Sequence, residues 1–431
     1  MLTFLKYYIK LALTPCLYFI GLFVAIATVF KNAKWGFFLL IFMIPQPNLW
    51  YKFHAYPYGK DFLDIVYFCI VLGLIFQKNW SLKVANSPII LIYIGLSYFS
   101  LWNASLHFSL AMPISIANEL MFPWKNYVQM IFLYFLAANI AQKEKDQRII
   151  LLIMAFTVMI VSIRAARNFN EGASFSYDRR SSGPFEVVGL GPNHFGAFLS
   201  YYCVMFLGLY YFLKEKKQKY FFLAASLAGL PGLLFSYSRG AFAATMVAIS
   251  FFGIKKRALI ILLFLFLIFW KFLLPVTVVE RITMTKTNDG HIEASASHRL
   301  VLWDNAMLIF CENPLFGVGF NGFGFSLDKG ALEDAHNKTD THNYFLKIAC
   351  EQGIIGLFFT LYIFAAAFLS GLRLFKTGKN HFHIGLGFGF MGCIIACIIA
   401  NLFGDRFSYF VLGSYFWICW GLIDRILSDL K

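Results

Sequence analysis

Apolar runs long enough to cross a hydrocarbon core of about 30 Å recur along almost the whole chain, and no other feature limits its fold so strongly. They lie at 15–30, 62–77, 87–102, 126–141, 148–163, 194–213, 219–235, 240–254, 258–275, 353–371, 384–400 and 407–423. Lipid offers no water to a backbone, so each run must satisfy its own N–H and C=O groups as a helix. The expected fold class is an all-α polytopic membrane protein with about 12 transmembrane helices, and 35–45 is a further short candidate. Of the 431 residues, 59% are hydrophobic and 14% charged, which excludes an ordinary soluble domain. The stretch "ATVFKNAKW" after the first run has no good small-residue cleavage site, so the first span is expected to stay.

Lysine and arginine in short loops set the orientation. "KEKKQK" at 214–219, "KKR" at 255–257 and "LRLFKTGKN" at 372–380 belong in the cytoplasm, whereas 276–346, with five Lys/Arg against nine Asp/Glu, belongs outside. The side on which the N-terminus starts depends on whether 35–45 crosses. The net charge of +15 therefore reports membrane topology and gives no reason to expect a nucleic-acid partner. The expected divisions are N-terminal membrane helices at 1–190, central helices carrying "SYSRG" at 191–275, a large outer loop with short helices at 276–346, and C-terminal helices at 347–431.

Within the outer loop, an amphipathic helix is expected from about 298 to 312, capped by serine and stopped by Asn313-Pro314. Arg299, Trp303 and Met307 share one face of it at four-residue spacing. The next helix is expected to start near Thr341, which puts His342 in its first turn, where the helix dipole disfavours an imidazolium. A neutral imidazole there can act as a general base. His336, in the same dipeptide His-Asn, lies six residues upstream in a polar stretch.

Six cations, Lys125, Arg164, Arg167, Arg239, Arg299 and Arg406, fall at or near the outer ends of spans, against the positive-inside rule. Long basic side chains there can snorkel to the interface, but together the six point to a bound anion. Arginine's fixed fork of donors suits a phosphate. Arg239 heads a helix behind hydroxyls and ahead of Gly240, and Arg299 is the next strongest candidate. The eight cysteines lie mostly in apolar runs without zinc-ligand spacing, and "GVGFNG" at 317–322 reads as a chance match to a dinucleotide fingerprint in a turn. No metal site, cofactor-binding loop or serine nucleophile signature is found, so no cofactor is expected.

Four segments, "GPNHFGAFLSYY" at 191–202, "SYSRGAF" at 236–242, "HRLVLWDNAMLIFCENPLFGVGFNGF" at 298–323 and "THNYFLKIACEQGIIGL" at 341–357, resemble the O-antigen ligase and polymerase family of bacterial membrane glycosyltransferases. The resemblance covers roughly 190 to 400. It implies a GT-C-like bundle in the bacterial inner membrane, with the site on the periplasmic side and no metal ion. The implied reaction moves a glycan from an undecaprenyl diphosphate carrier to a sugar hydroxyl, on a glycolipid acceptor such as lipid A core. By motif, the base resembles His342, since that His-Asn is followed by Leu346, Glu351 and Gly353. The diphosphate-binding arginines resemble Arg239 and Arg299. Lys125, Arg164, Arg167, Trp303, Asn343 and Arg406 are expected as secondary substrate contacts, with Trp303 and Tyr344 suited to sugar faces or the prenyl chain. Asn193 and His194 are read as capping and packing at a helix start. A single displacement with inversion is expected. The ligase is favoured over a repeat-unit polymerase of the same family. From other classes, a lipid-glycan transporter and a structural envelope subunit stay open.

Overall fold

The computed structural model describes residues 2–167, 169, 174–284, 294–327 and 340–430, and every regular element among these is helical. The first half contains α1 (Leu2–Phe30), α2 (Ala33–Met43), α3 (Pro47–Trp50), α4 (Phe62–Phe76), α5 (Ser87–His107), α6 (Met121–Ile140), α7 (Glu144–Arg167) and α8 (Pro192–Phe212). After it come α9 (Lys216–Phe235), α10 (Arg239–Gly253), α11 (Arg257–Leu273), α12 (Val276–Thr283), α13 (Ala294–Glu312) and α14 (Phe323–Ser326). Three helices, α15 (Tyr344–Thr377), α16 (His381–Asn401) and α17 (Phe410–Leu430), complete the chain.

Seven helices, α1, α5, α7, α8, α15, α16 and α17, are long and apolar enough to cross a membrane. The pair α11 and α12 adds an eighth if its 109° bend is counted within one span. About a dozen were expected, and four of the other helices fall outside this set on length or composition. At 1.5 Å per residue, the 15 residues of α4 and α10 make only about 22 Å of helix, short of a hydrocarbon core of about 30 Å. The helices α6 and α9 have the length but carry the polar stretches "PWKN" and "KKQK" within their first two turns.

Both ends of the bundle are tied by polar contacts. At one end, Arg148 Nη1 reaches Glu215 at 2.6 Å, Asn380 Nδ2 donates to Glu144 at 2.8 Å, and Lys34 pairs with Asp146 at 2.6 Å. Lys256 lies over the Phe212 ring at 5.2 Å and Lys255 over Phe375 at 5.8 Å. The three basic segments expected on one side of the membrane are thus gathered at one end. Helices α8, α10 and α16 pack closely because glycine removes side-chain bulk; a Cβ on Gly208 would meet the backbone of Gly389 across the α8–α16 contact. Peripheral α11 turns Ile261, Leu262, Phe264 and Phe272 outward, as a lipid-facing helix does.

The outer-loop helix α13 begins four residues before the expected 298 and ends at Glu312 as expected. Leu302, Ala306 and Ile309 form its buried stripe, Arg299 and Trp303 flank that stripe, and Met307 stays 46% exposed. The turn after it docks into a break in α15. Gly353 has φ +65 inside that helix, which frees the carbonyls above it. Val318 N–H donates to Cys350 O at 3.0 Å, Gly319 N–H to Glu351 O at 2.8 Å, and Ile354 N–H to Pro314 O at 2.8 Å. The buried Glu351 carboxylate accepts from the N–H groups of Asn321 at 3.1 Å and Phe323 at 3.4 Å. Asn-Pro-x-x-Gly and Glu-x-Gly are therefore two halves of one joint.

Candidate active site

At the end opposite the basic turns, a cleft is lined by Asn193, Ser238, Arg239, Arg281, Arg299, Phe403 and Arg406, among others. Local chemistry explains how each arginine arrives. Ser238 caps α10 by accepting from Ala241 N–H at 3.4 Å, so Arg239 is the first helical residue, as expected, and its Nη1 donates to Met284 O at 2.7 Å. Arg281 lies in the last turn of the eight-residue α12 and is 5% exposed. Its guanidinium lies over Phe175 at 5.2 Å and Tyr177 at 5.0 Å and bonds the Tyr177 hydroxyl at 3.0 Å. Arg406 follows the turn after α16, where Asn401 Oδ1 accepts from its N–H at 2.9 Å, and it is 3% exposed.

Arg180 stands behind this lining. Its Nε donates to Ser236 O at 3.0 Å and its Nη2 to Asn193 Oδ1 at 2.6 Å. Burial and the neighbouring Arg281 lower its pKa to about 10, still well charged at neutral pH. Five guanidiniums therefore serve one region, where Coulomb attraction for an anion is strengthened by partial exclusion of water. The geometry suits a multiply charged group with several acceptor oxygens.

His342 lies immediately before the cap of α15, not in its first turn. Asn343 is the N-cap, accepting from Phe345 N–H at 3.0 Å and Leu346 N–H at 3.3 Å, and His342 takes φ +52. The expected cause of its neutrality is corrected accordingly: burial comes first, followed by Arg299, Arg406 and His298, and together they lower its pKa to about 4. Its Nδ1 is 3.7 Å from Asp340 Oδ2 and has no hydrogen-bond partner among the described residues. The imidazole is neutral at pH 7 and free to accept a proton. The other dipeptide, His336-Asn337, lies outside the described residues.

The remaining expected contacts divide. Arg406 joins the cleft. Trp303 is half-buried on α13, with no acceptor for its Nε1 among the described residues. Lys125 is taken up by Asp64 at 2.5 Å, Arg164 is exposed beside the Asn48 amide, and Arg167 is exposed at the end of α7. None of these three lines the cleft. The Asn343 amide oxygen is occupied by capping. Tyr344 is fully buried, its hydroxyl 3.3 Å from that of Tyr93, and so presents no face to a sugar. Asn193 and His194 do not cap α8, whose N-cap is Gly191; they bond Arg180 and Arg406 instead. The sequence reading passed over Arg180 and Arg281, although both lie in outer segments and break the same charge rule as the other cations.

A polytopic helical membrane protein with an arginine-lined cleft and a neutral histidine beside it is the class these features define. Residues 199–361 match the family model described as O-Antigen ligase. The match covers 163 of the 431 residues and takes in Arg239, Arg299 and His342. No curated protein matches the chain.

Proposed function

We propose that this chain is an O-antigen ligase-type glycosyltransferase of the bacterial inner membrane. It moves a glycan from undecaprenyl diphosphate to a sugar hydroxyl of a glycolipid acceptor such as lipid A core, on the periplasmic face. The observation that carries this reading is the convergence of Arg239, Arg281, Arg299 and Arg406 on one cleft, with the neutral His342 under the influence of two of them. The arginines hold the diphosphate and stabilise the charge that grows on it as the glycosyl bond breaks. His342 takes the proton of the attacking hydroxyl as the new C–O bond forms. One displacement inverts the anomeric carbon, and neither a metal nor a cofactor takes part.

The test is deletion of the gene in its host, with complementation by wild type, His342→Ala, His336→Ala or Arg239→Ala and separation of surface glycans by length and anchor. A ligase leaves long chains on the carrier and bare lipid A core when deleted, and His342→Ala and Arg239→Ala fail to restore attachment while His336→Ala restores it. Single repeats on the core without a ladder identify a repeat-unit polymerase instead. Full rescue by His342→Ala removes the base and returns the transporter reading.

A further inference from the structure

The surroundings that keep His342 neutral also make it a weak base. A ring whose pKa is about 4 takes a proton from a sugar hydroxyl less readily than an ordinary histidine does. Burial is the first cause, then Arg299 and Arg406, then His298, while Asp405 acts in the opposite sense. His194 of α8 is also close enough to interact with the ring. Something must offset these cations when the ring itself becomes one.

The two ring nitrogens have different surroundings. Nδ1 is shut off from solvent and lies 3.7 Å from Oδ2 of Asp340, whose side chain is 16% exposed. The His342 side chain as a whole is 34% exposed, so its open edge is the far one, which carries Nε2. A bare Nδ1 opposite a carboxylate sets two lone pairs against each other, whereas Nδ1–H has an acceptor in front of it. The separation exceeds a hydrogen bond by about half an ångström, and a small turn of the ring closes it. The intervening Thr341 is buried and donates to Asn343 O at 2.8 Å, and His342 takes φ +52, a left-handed backbone that a residue with a side chain adopts at a cost. Asp340 is held in its turn. Burial and Asp405 push its carboxyl above the usual range, while Lys347, Arg406 and the backbone N–H of His342 favour the carboxylate. Lys347 and Asp405 pair with each other at 2.7 Å.

We propose that Asp340 is a positioning residue for the general base: in the substrate complex its carboxylate accepts a hydrogen bond from Nδ1–H of His342, which leaves the lone pair of Nε2 facing the acceptor hydroxyl and offsets the charge that the ring gains. This rests on the transferase reading given above. Nε2 takes the hydroxyl proton as the new C–O bond forms and the diphosphate leaves with the electrons of the old one. Nδ1 keeps its own proton, and none passes to Asp340.

The experiment uses the full-length protein in lipid nanodiscs and has two readouts. Nitrogen NMR of the wild type, with isotope-labelled histidine and bound undecaprenyl diphosphate, gives the tautomer directly; the His342 signals are those lost in His342→Gln. At neutral pH they should show a protonated Nδ1 and a bare Nε2. Transfer kinetics, with the lipid-linked glycan and lipid A core of the host, give the second. Asp340→Asn should lower kcat about a hundredfold or more, as where a carboxylate sets the tautomer of a catalytic histidine. Its affinity for undecaprenyl diphosphate should stay within about threefold of wild type, with an unchanged melting midpoint. If the Asn variant does not fold, the wild-type spectrum still decides. A wild-type His342 protonated on Nε2, an undiminished kcat in Asp340→Asn, or a loss of diphosphate affinity equal to the loss of kcat would each overturn the proposal while leaving the transferase reading intact. A wild-type protein that transfers no glycan would remove that reading, and this one with it.

Discussion

His342 is neutral because partial burial and the nearby Arg299 and Arg406 both disfavour the imidazolium, and both causes respond to substrate. With its pKa lowered to about 4, the free protein holds the base form across neutral pH, and activity is lost only as pH falls through that value. The kcat/KM profile for transfer should therefore have its acid limb near pH 4 and not near 6.5, the ordinary histidine range. A bound diphosphate offsets Arg299 and Arg406, so the limb in kcat should lie at higher pH than the limb in kcat/KM. Coincident limbs near 6.5 would mean that the ring is not in this environment during turnover. Arg281 offers a second test. Lysine retains the charge but not the flat group that lies over Phe175 and Tyr177, so Arg281→Lys should weaken donor binding by roughly tenfold, as read by binding of a lipid diphosphate. Arg239, Arg299, Arg406 and His342 were legible in the sequence because each follows a local signal: a helix start, a motif, or a charge on the wrong side of the membrane. Asn193 and His194 were misread because their partners, Arg180 and Arg406, are 13 and 212 residues away respectively.

The joint between the 313–323 turn and α15 shows what glycine contributes at the scale of elements. Gly353 has φ +65, and a Cβ there would run into the backbone of Leu315. Gly353→Ala should destabilise the fold by about 1–3 kcal/mol from the backbone conformation alone, with more from the clash, measured as a lower midpoint of unfolding in detergent. Because the same joint anchors the segment behind α13, the variant should also lose lipid-diphosphate binding before it loses helix content. The sequence located this joint only as a helix stop and a glycine-rich turn. That the turn is received by a break in another helix depends on two segments meeting in space, and neither segment carries that information by itself. The start of α15 was misplaced for a similar reason: Thr341 and Asn343 are both good caps, and the choice was made by Thr341 folding back to donate to Asn343 O at 2.8 Å.

Across the whole molecule, buried polar contacts add to those at the two ends of the bundle. Towards the basic end, where Asn86 caps α5, Asp424 is fully buried on α17, accepting from Tyr134 OH at 2.5 Å and from Asn86 Nδ2 at 2.7 Å. Ser370 of α15 joins through Asn86 Nδ2 at 3.1 Å and Trp420 Nε1 at 3.1 Å. Asp424→Asn keeps an acceptor and should fold, whereas Asp424→Leu strands two donors and should cost about 1–3 kcal/mol or more, again read by thermal unfolding. The proposed orientation has its own test. A single reporter cysteine at Lys217, at the basic end, should react with membrane-impermeant reagents only from the cytoplasm, and one at Arg179 only from outside; the reverse pattern would invert the molecule. The apolar runs and the lysine-rich turns were enough to determine a helical membrane protein and which turns share an end, because hydrogen bonding in lipid and the charge of short loops act through contiguous residues. Which arginines meet, and which cations remain outside their cleft, were decided only by the tertiary structure, because those contacts join helices far apart in the chain.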